Sequence, residues 1–166
     1  LTNKNIFNFL DMKKLLILLV CCAFLAGCGA MPKKGEFVEG GTPPVLQADG
    51  ESALITFLRE SAFVGGGVSY YIYEDGKVIG ALKSGTWFLH KASPGQHTYM
   101  AETESKSIVS LTLEAGKNYY VLGGVTMGVL AGRPELKEST EQYAKPLLKD
   151  LDYIKYVPPY ARTQKE

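Results

Sequence analysis

Val68-Ser69-Tyr70-Tyr71-Ile72-Tyr73-Glu74-Asp75-Gly76-Lys77-Val78-Ile79-Gly80-Ala81-Leu82 reads as a β-hairpin, and it decides the fold class. Val68 to Tyr73 is rich in β-branched and aromatic side chains, which suit a pleated, half-buried surface. Asp75-Gly76 suits a two-residue type I′ turn, whose central positions both need positive φ; Asp tolerates that and Gly adopts it freely. Lys77 to Leu82 then returns antiparallel beside the first strand.

Short runs of the same character flank the hairpin: Ala53 to Arg59 before it, then Thr86 to Lys91, Gln96 to Glu104, Ile108 to Glu114 and Tyr119 to Val125. Ile108 to Glu114 places Val109, Leu111 and Leu113 on one face and Ser110, Thr112 and Glu114 on the other. Turn residues separate the runs, and Tyr119 to Val125 is expected to pair antiparallel with its predecessor. About seven strands at this spacing predict a mainly β domain, an antiparallel β-sandwich of immunoglobulin-like or prealbumin-like kind. A C-terminal helix follows in the pattern. Ser139 and Gln142 make a capping box, and Tyr143, Leu147, Leu151 and Ile154 share a helical face. Pro146 must kink that helix or open a second one, and Val157-Pro158-Pro159 ends it.

Upstream, Lys13 and Lys14 precede an apolar run from Leu15 to Leu25, and Leu25-Ala26-Gly27-Cys28 closes it. A basic start, a short apolar stretch and small residues make a signal peptide. The stretch is too short for a permanent span of about 20 residues. The four closing residues resemble a bacterial lipobox, with an ordinary secretory signal as the alternative. The resemblance implies translation from Met12, cleavage before Cys28, a diacylglyceryl group on its sulfur and an acylated amino terminus. Several acyl chains anchor stably where one does not. Gly29 stands where an inner-membrane retention signal has aspartate, which implies outer-membrane anchoring facing the periplasm in a two-membrane organism.

Cleavage removes Lys4, Lys13, Lys14 and Asp11, leaving fifteen basic against sixteen acidic residues and a net charge of about −1. No general field attracts nucleic acid. Cys21 and Cys22 are also lost, so the folded part has no disulfide available and depends on a packed core. The expected organisation is a signal peptide at 1–27, a lipidated N terminus and tether at 28–50, a β domain at 51–135, a helical segment at 136–157 and a tail at 158–166. Glycines and Pro32, Pro43 and Pro44 mark the tether, which reaches roughly 70 Å if fully extended. Docking of Phe37 and Val38 on the domain is the competing expectation.

The order Val68 to Tyr73, Asp75-Gly76-Lys77, Ile79-Gly80, Gly85-Thr86-Trp87-Phe88, Pro94-Gly95-Gln96-His97 and Ala115-Gly116-Lys117-Asn118-Tyr119-Tyr120 resembles the family called domain of unknown function 2846. That resemblance covers roughly Glu51 to Val125 and implies a small bacterial envelope lipoprotein. It carries no catalytic residues. The Pro-Gly-x-His step also resembles PEGA domains and the regulatory domains beside carboxypeptidases, and specifies a turn.

Chemistry-bearing residues are few. If Ala92 to Gly95 is a hairpin loop, His90 faces His97 with Cβ atoms about 4.5–5.5 Å apart. They are weak metal candidates, since Zn²⁺ takes three or four protein ligands and no third sits at a recognisable spacing. Glu102 and Glu104 share a strand face at period two, which solvent explains as well as acid–base chemistry does. Gly65-Gly66-Gly67 lacks the lysine and helix of a phosphate loop. Tyr70, Tyr71, Tyr119 and Tyr120 are a possible binding patch, with β-propensity and core packing as the plain alternative. The expected function is a lipid-anchored, non-enzymatic envelope domain, without cofactor beyond the lipid on Cys28, that binds or supports another envelope protein or glycan. A carbohydrate-binding or transport-accessory lipoprotein is the second expectation, and an enzyme with an unrecognised site the third.

Overall fold

The computed structural model describes residues 36–40 and 42–157. The expected signal peptide at 1–27 with Leu25, Ala26 and Gly27, the expected lipidation position Cys28 and the expected tail at 158–166 lie outside the described residues. The strands are β1 (Glu36–Glu39), β2 (Ala53–Arg59), β3 (Tyr70–Glu74), β4 (Lys77–Leu82), β5 (Thr86–Ala92), β6 (Gly95–Glu102), β7 (Lys106–Leu113), β8 (Asn118–Thr126), β9 (Arg133–Ser139) and β10 (Asp152–Val157). Between β9 and β10 lie one α-helix, α1 (Glu141–Leu147), and a 3-10 turn, Leu148–Asp150.

The protein is mainly β, in two sheets. The larger runs β10-β5-β2-β8-β9, with β1 added beside β10 as a sixth strand; the smaller runs β4-β3-β6-β7. The β3–β4 hairpin forms with φ of 49° at Asp75 and 74° at Gly76, and Glu74 pairs with Lys77 across it.

All seven residues of β2 are buried, so both faces of this strand are covered. Ala53, Ile55 and Phe57 face the core shared with the smaller sheet, where they join Ile72, Leu82, Tyr99, Ala101, Leu111 and Leu113. Phe57 stacks on Phe88 at 4.9 Å and meets the Tyr99 ring edge-on at 5.1 Å, so aromatic packing ties the sheets together. On the opposite face Leu58, Tyr120 and Ala144 cluster with Trp87, Leu122, Leu147, Leu148 and Leu151. The short C-terminal helix is the cover of that second face.

Several expectations need correction. There are ten strands among the described residues, and the larger sheet is mixed, since β2 pairs parallel with β8 and β5 parallel with β10. β8 does not pair with β7. The turn at 114–117 carries the chain from the smaller sheet into the larger, where β8 lies between β2 and β9. The predicted helical segment at 136–157 is helical only over α1 and the 3-10 turn. Thr140, not Ser139, caps α1, accepting a hydrogen bond from the Tyr143 amide at 3.3 Å. Pro146 lies one residue before the helix ends, and residues 152–157 continue as strand. Ile154 is buried in the core between the sheets, away from the helical face assigned to it. The tether also shortens, because β1 pairs antiparallel with β10 from Glu36↔Val157 to Glu39↔Ile154. Seven residues lie between Cys28 and Glu36, and the eight steps span about 29 Å at most.

Gly80 marks a close approach between the sheets, since a Cβ there would overlap the Phe88 ring. Gly80→Ala is expected to cost about 1–3 kcal/mol through overpacking. Urea unfolding measures it directly, and an unchanged midpoint would show that the Phe88 ring has room to move.

Candidate functional site

The four tyrosines do not make one surface. Tyr70 is buried between the sheets and Tyr120 beneath the helical cover, while Tyr119 packs half-buried against the inner core. Tyr71 is half-buried on the outer side of the smaller sheet, its ring 6.4 Å from Tyr73. Glu102 and Glu104 also part company: β6 ends at Glu102, which pairs with Lys106 at 3.6 Å, and Glu104 lies in the turn beyond.

That turn helps build the most exposed apolar feature of the domain. Glu104 accepts hydrogen bonds from three successive amides, Val129 at 2.9 Å, Leu130 at 2.7 Å and Ala131 at 3.0 Å, and from the Arg133 Nε at 3.0 Å. The Ala131, Leu130 and Val129 amides, with Arg133, hold its carboxyl at about 2, well below the ordinary 4.5. Gly128 is required here, because a Cβ would overlap both the Ala131 carbonyl and the Glu104 carboxylate. The loop at 127–132 thus winds round a fixed anion and turns Met127, Val129 and Leu130 outward, Leu130 being 94% exposed.

Beside it, the loop at 60–69 is held from within by a cation. Arg59 is only 2% exposed, and its guanidinium donates to the Val68 carbonyl at 2.7 Å and the Gly65 carbonyl at 2.8 Å. It also lies over the Tyr70 ring, 5.4 Å from the centroid. Burial draws the Arg59 pKa down, with Tyr70 opposing, yet an arginine stays charged at any physiological pH. Burial likewise pushes Tyr70 up to about 12, and its neutral hydroxyl donates to the Gly124 carbonyl at 3.1 Å. This loop presents Phe63, fully exposed, and Val64. Between the two loops lies a cavity of about 340 Å³ lined by Val64, Val68, Val125, Met127, Val129 and Leu130 among others.

The histidines meet near the other end of the strands, though not across a hairpin. The turn after β5 crosses between sheets, so His90 belongs to the larger and His97 to the smaller. Glu74 joins them: His90 Nε2 lies 2.8 Å from Oε2, and His97 Nδ1 lies 2.7 Å from Oε1. The three side chains are 16–19% exposed. Burial works to raise the Glu74 pKa, but the His97 hydrogen bond and the charge and hydrogen bond of His90 outweigh it, and the net direction is down. The Tyr99 ring stacks beside His97 and meets His90 edge-on. Its hydroxyl is buried, and burial, the Glu74 charge and its contact with the Glu74 carboxylate raise its pKa. Among the described residues no group of three His, Cys, Asp or Glu is arranged to hold a metal ion.

Glu74 was missed in the sequence because it sits outside any spacing pattern with the histidines. The apolar loops left a plainer trace, since Met127-Gly128-Val129-Leu130-Ala131-Gly132 is apolar yet breaks strand alternation with glycines.

No family model matches the chain, and no solved structure matches it. The chain is 24% identical over 129 residues to an uncharacterized protein of Haemophilus influenzae, a match spanning 77% of this chain and 76% of that one.

Glu104→Ala is expected to speed hydrogen exchange at Val129, Leu130 and Ala131 at least tenfold while leaving the melting temperature nearly unchanged. In the unsubstituted protein the anchoring is complete above the ordinary carboxylate value of 4.5 and is lost as pH falls through about 2.

Proposed function

We propose that this protein is a lipid-anchored, non-enzymatic domain of the cell envelope that grips an apolar surface of another envelope protein through the loops at 60–69 and 127–132. The carrying observation is how those loops are made. Arg59 and Glu104 spend their charges inward on loop carbonyls and amides, and what remains outside is Phe63, Val64, Met127, Val129 and Leu130. A loop whose polar backbone is satisfied internally offers a partner apolar contact at little desolvation cost. Covering one such side chain is worth about 1.5–3 kcal/mol.

The strand register puts the apolar loops and the start of β1 at opposite ends of the larger sheet. Arg59 pairs with Thr86 and Gly123, and Thr86 with Asp152, so the apolar loops lie beyond that end of the larger sheet. β1 runs antiparallel to β10 and starts at Glu36, opposite Val157, towards the other end. The lipobox resemblance and the likeness to domain of unknown function 2846 fit an envelope lipoprotein, on the outer membrane where there are two. The shared core supports reading the two sheets as a sandwich of immunoglobulin-like or prealbumin-like kind, with its parallel pairs as a departure from a wholly antiparallel pattern. A carbohydrate-binding or transport-accessory role has less support, since the tyrosines provide no common platform.

Two substitutions test the two halves of the proposal. Cys28→Ser is expected to move the protein from membranes to the soluble fraction; continued tight membrane association would remove the lipid anchor. Leu130→Asp is expected to abolish photocrosslinking to a partner from a probe at Val129, with melting temperature unchanged. The same crosslinked species at undiminished yield would place the contact elsewhere.

A further inference from the structure

We propose that the cavity between the loops at 60–69 and 127–132 takes a single-chain fatty acid, with its carboxylate on Arg133 and its tail among Val64, Val68, Val125 and Met127. Its volume of about 340 Å³ falls within the roughly 300–1,000 Å³ of small-molecule sites. A cavity of about 150 Å³ already holds benzene, so a chain of about ten carbons fits here. Of the side chains that line the cavity, only that of Thr126 is polar. The nearby backbone is largely spent as well. Arg59 takes the Gly65 and Val68 carbonyls, and Glu104 takes the Val129, Leu130 and Ala131 amides. A peptide laid in the cavity would leave its own amides unsatisfied, which is costly, whereas an alkyl chain has none to satisfy.

The anionic head group follows from the charges around the rim. Arg133 directly follows Gly132 of the cavity wall and pairs across the ladder with Thr126, another lining residue. Its side chain is half-exposed and binds Glu104 through Nε, so both Nη groups are left without a partner among the described residues. Two parallel N–H groups of a guanidinium form the fork that a carboxylate accepts. Arg59, inside the loop at 60–69, adds to the attraction. Carbonyl dipoles and the Tyr70 ring solvate its charge without cancelling it, and among the described residues it has no carboxylate within ion-pairing distance.

The acidic groups nearby are already matched. Glu104 is opposed by Arg133 at 3.0 Å, Glu102 by Lys106 at 3.6 Å and Glu135 by Lys137 at 2.8 Å. Glu60, next to Arg59 in the chain, turns to the helical cover and accepts from the Tyr143 hydroxyl at 2.9 Å. Arg133 and Glu104 cancel as a pair, and the Arg59 charge is what remains between the loops. A surplus positive charge behind low-dielectric walls draws an anion to the cavity mouth and repels a cation. The combination of an apolar tail site with that charge suits a fatty-acid monoanion over a neutral alcohol or an ammonium amphiphile. The site needs no protein partner, and it does not rest on the one proposed above.

Three ten-carbon probes test this: decanoate, decanol and decyltrimethylammonium, each below its micelle concentration and at neutral pH. They are titrated into the full chain carrying Cys28→Ser, so that no detergent competes for the cavity, and binding is read from the methyl shifts of Val64, Val68, Val125 and Met127. Decanoate is expected to move these methyls to saturation and to bind at least about tenfold more tightly than decyltrimethylammonium. Arg133→Gln is expected to weaken decanoate about tenfold and to leave decanol unchanged. Glu104 keeps its three amides in that variant, so the loop stays closed. Absence of methyl shifts with decanoate, equal affinity for the anionic and cationic probes, or undiminished decanoate binding by Arg133→Gln would each overturn the proposal. So would a response of these methyls to phosphatidylglycerol vesicles when monomeric decanoate gives none. If Arg133→Gln does not fold, the charge preference of the unsubstituted loops decides the matter. No partner protein is present, so the outcome is separate from that of crosslinking at Val129.

Discussion

Burial of β2 on both faces is the constraint on which the rest of the domain depends. A strand with Ile55 and Phe57 on one side and Leu58 on the other cannot sit in a sheet with one wet face. The smaller sheet covers the first side. Tyr120 and the segment from α1 to Leu151 cover the second, which is why the described residues, built almost wholly of strands, keep one seven-residue helix after β9. α1 is too short to be stable alone, and its packing through Ala144 and Leu147 supplies what helix propensity does not.

Charge organises both ends of this apolar body. Arg59 and Glu104 shape the backbone at one end, each surrounded by loop groups of opposite polarity, and each makes its loop rigid at a site where apolar side chains alone would leave backbone amides and carbonyls competing for water. Glu74 joins the sheets at the other end. A buried charge stabilises little by itself, but leaving one unpaired is costly. Each of the three thus fixes a geometry more than it adds strength.

Local chemistry was readable in the sequence and sheet membership was not. Asp75-Gly76 specifies its turn through two positive φ values, and the alternation from Ile108 to Leu113 gives the buried face correctly at Leu111 and Leu113. A turn that closes a hairpin and one that arches between sheets use the same residues, however. Pro94-Gly95 and Ala115-Gly116 are of the second kind, so the pairings inferred for His90 with His97 and for β7 with β8 failed together. β9 was hidden by Pro134 and its charged residues, which an edge strand tolerates. The helical spacing of Tyr143, Leu147 and Leu151 masked the change to extended chain at Asp152. The histidine site was half visible: both rings were identified, while the carboxylate that unites them came from a distant turn.

The pairing of β1 with β10 sets an order of events in time. A chain made from its N terminus releases Glu36–Glu39 before the rest of the sheet and their partners Ile154–Val157 more than a hundred residues later. Until then both strands are single, and β5 presents an open edge where β10 will lie. Closure of so distant a contact is intrinsically slow. The larger sheet therefore becomes complete only when β10 arrives, and β1, early as it is in the chain, is among the last strands to be fixed in place.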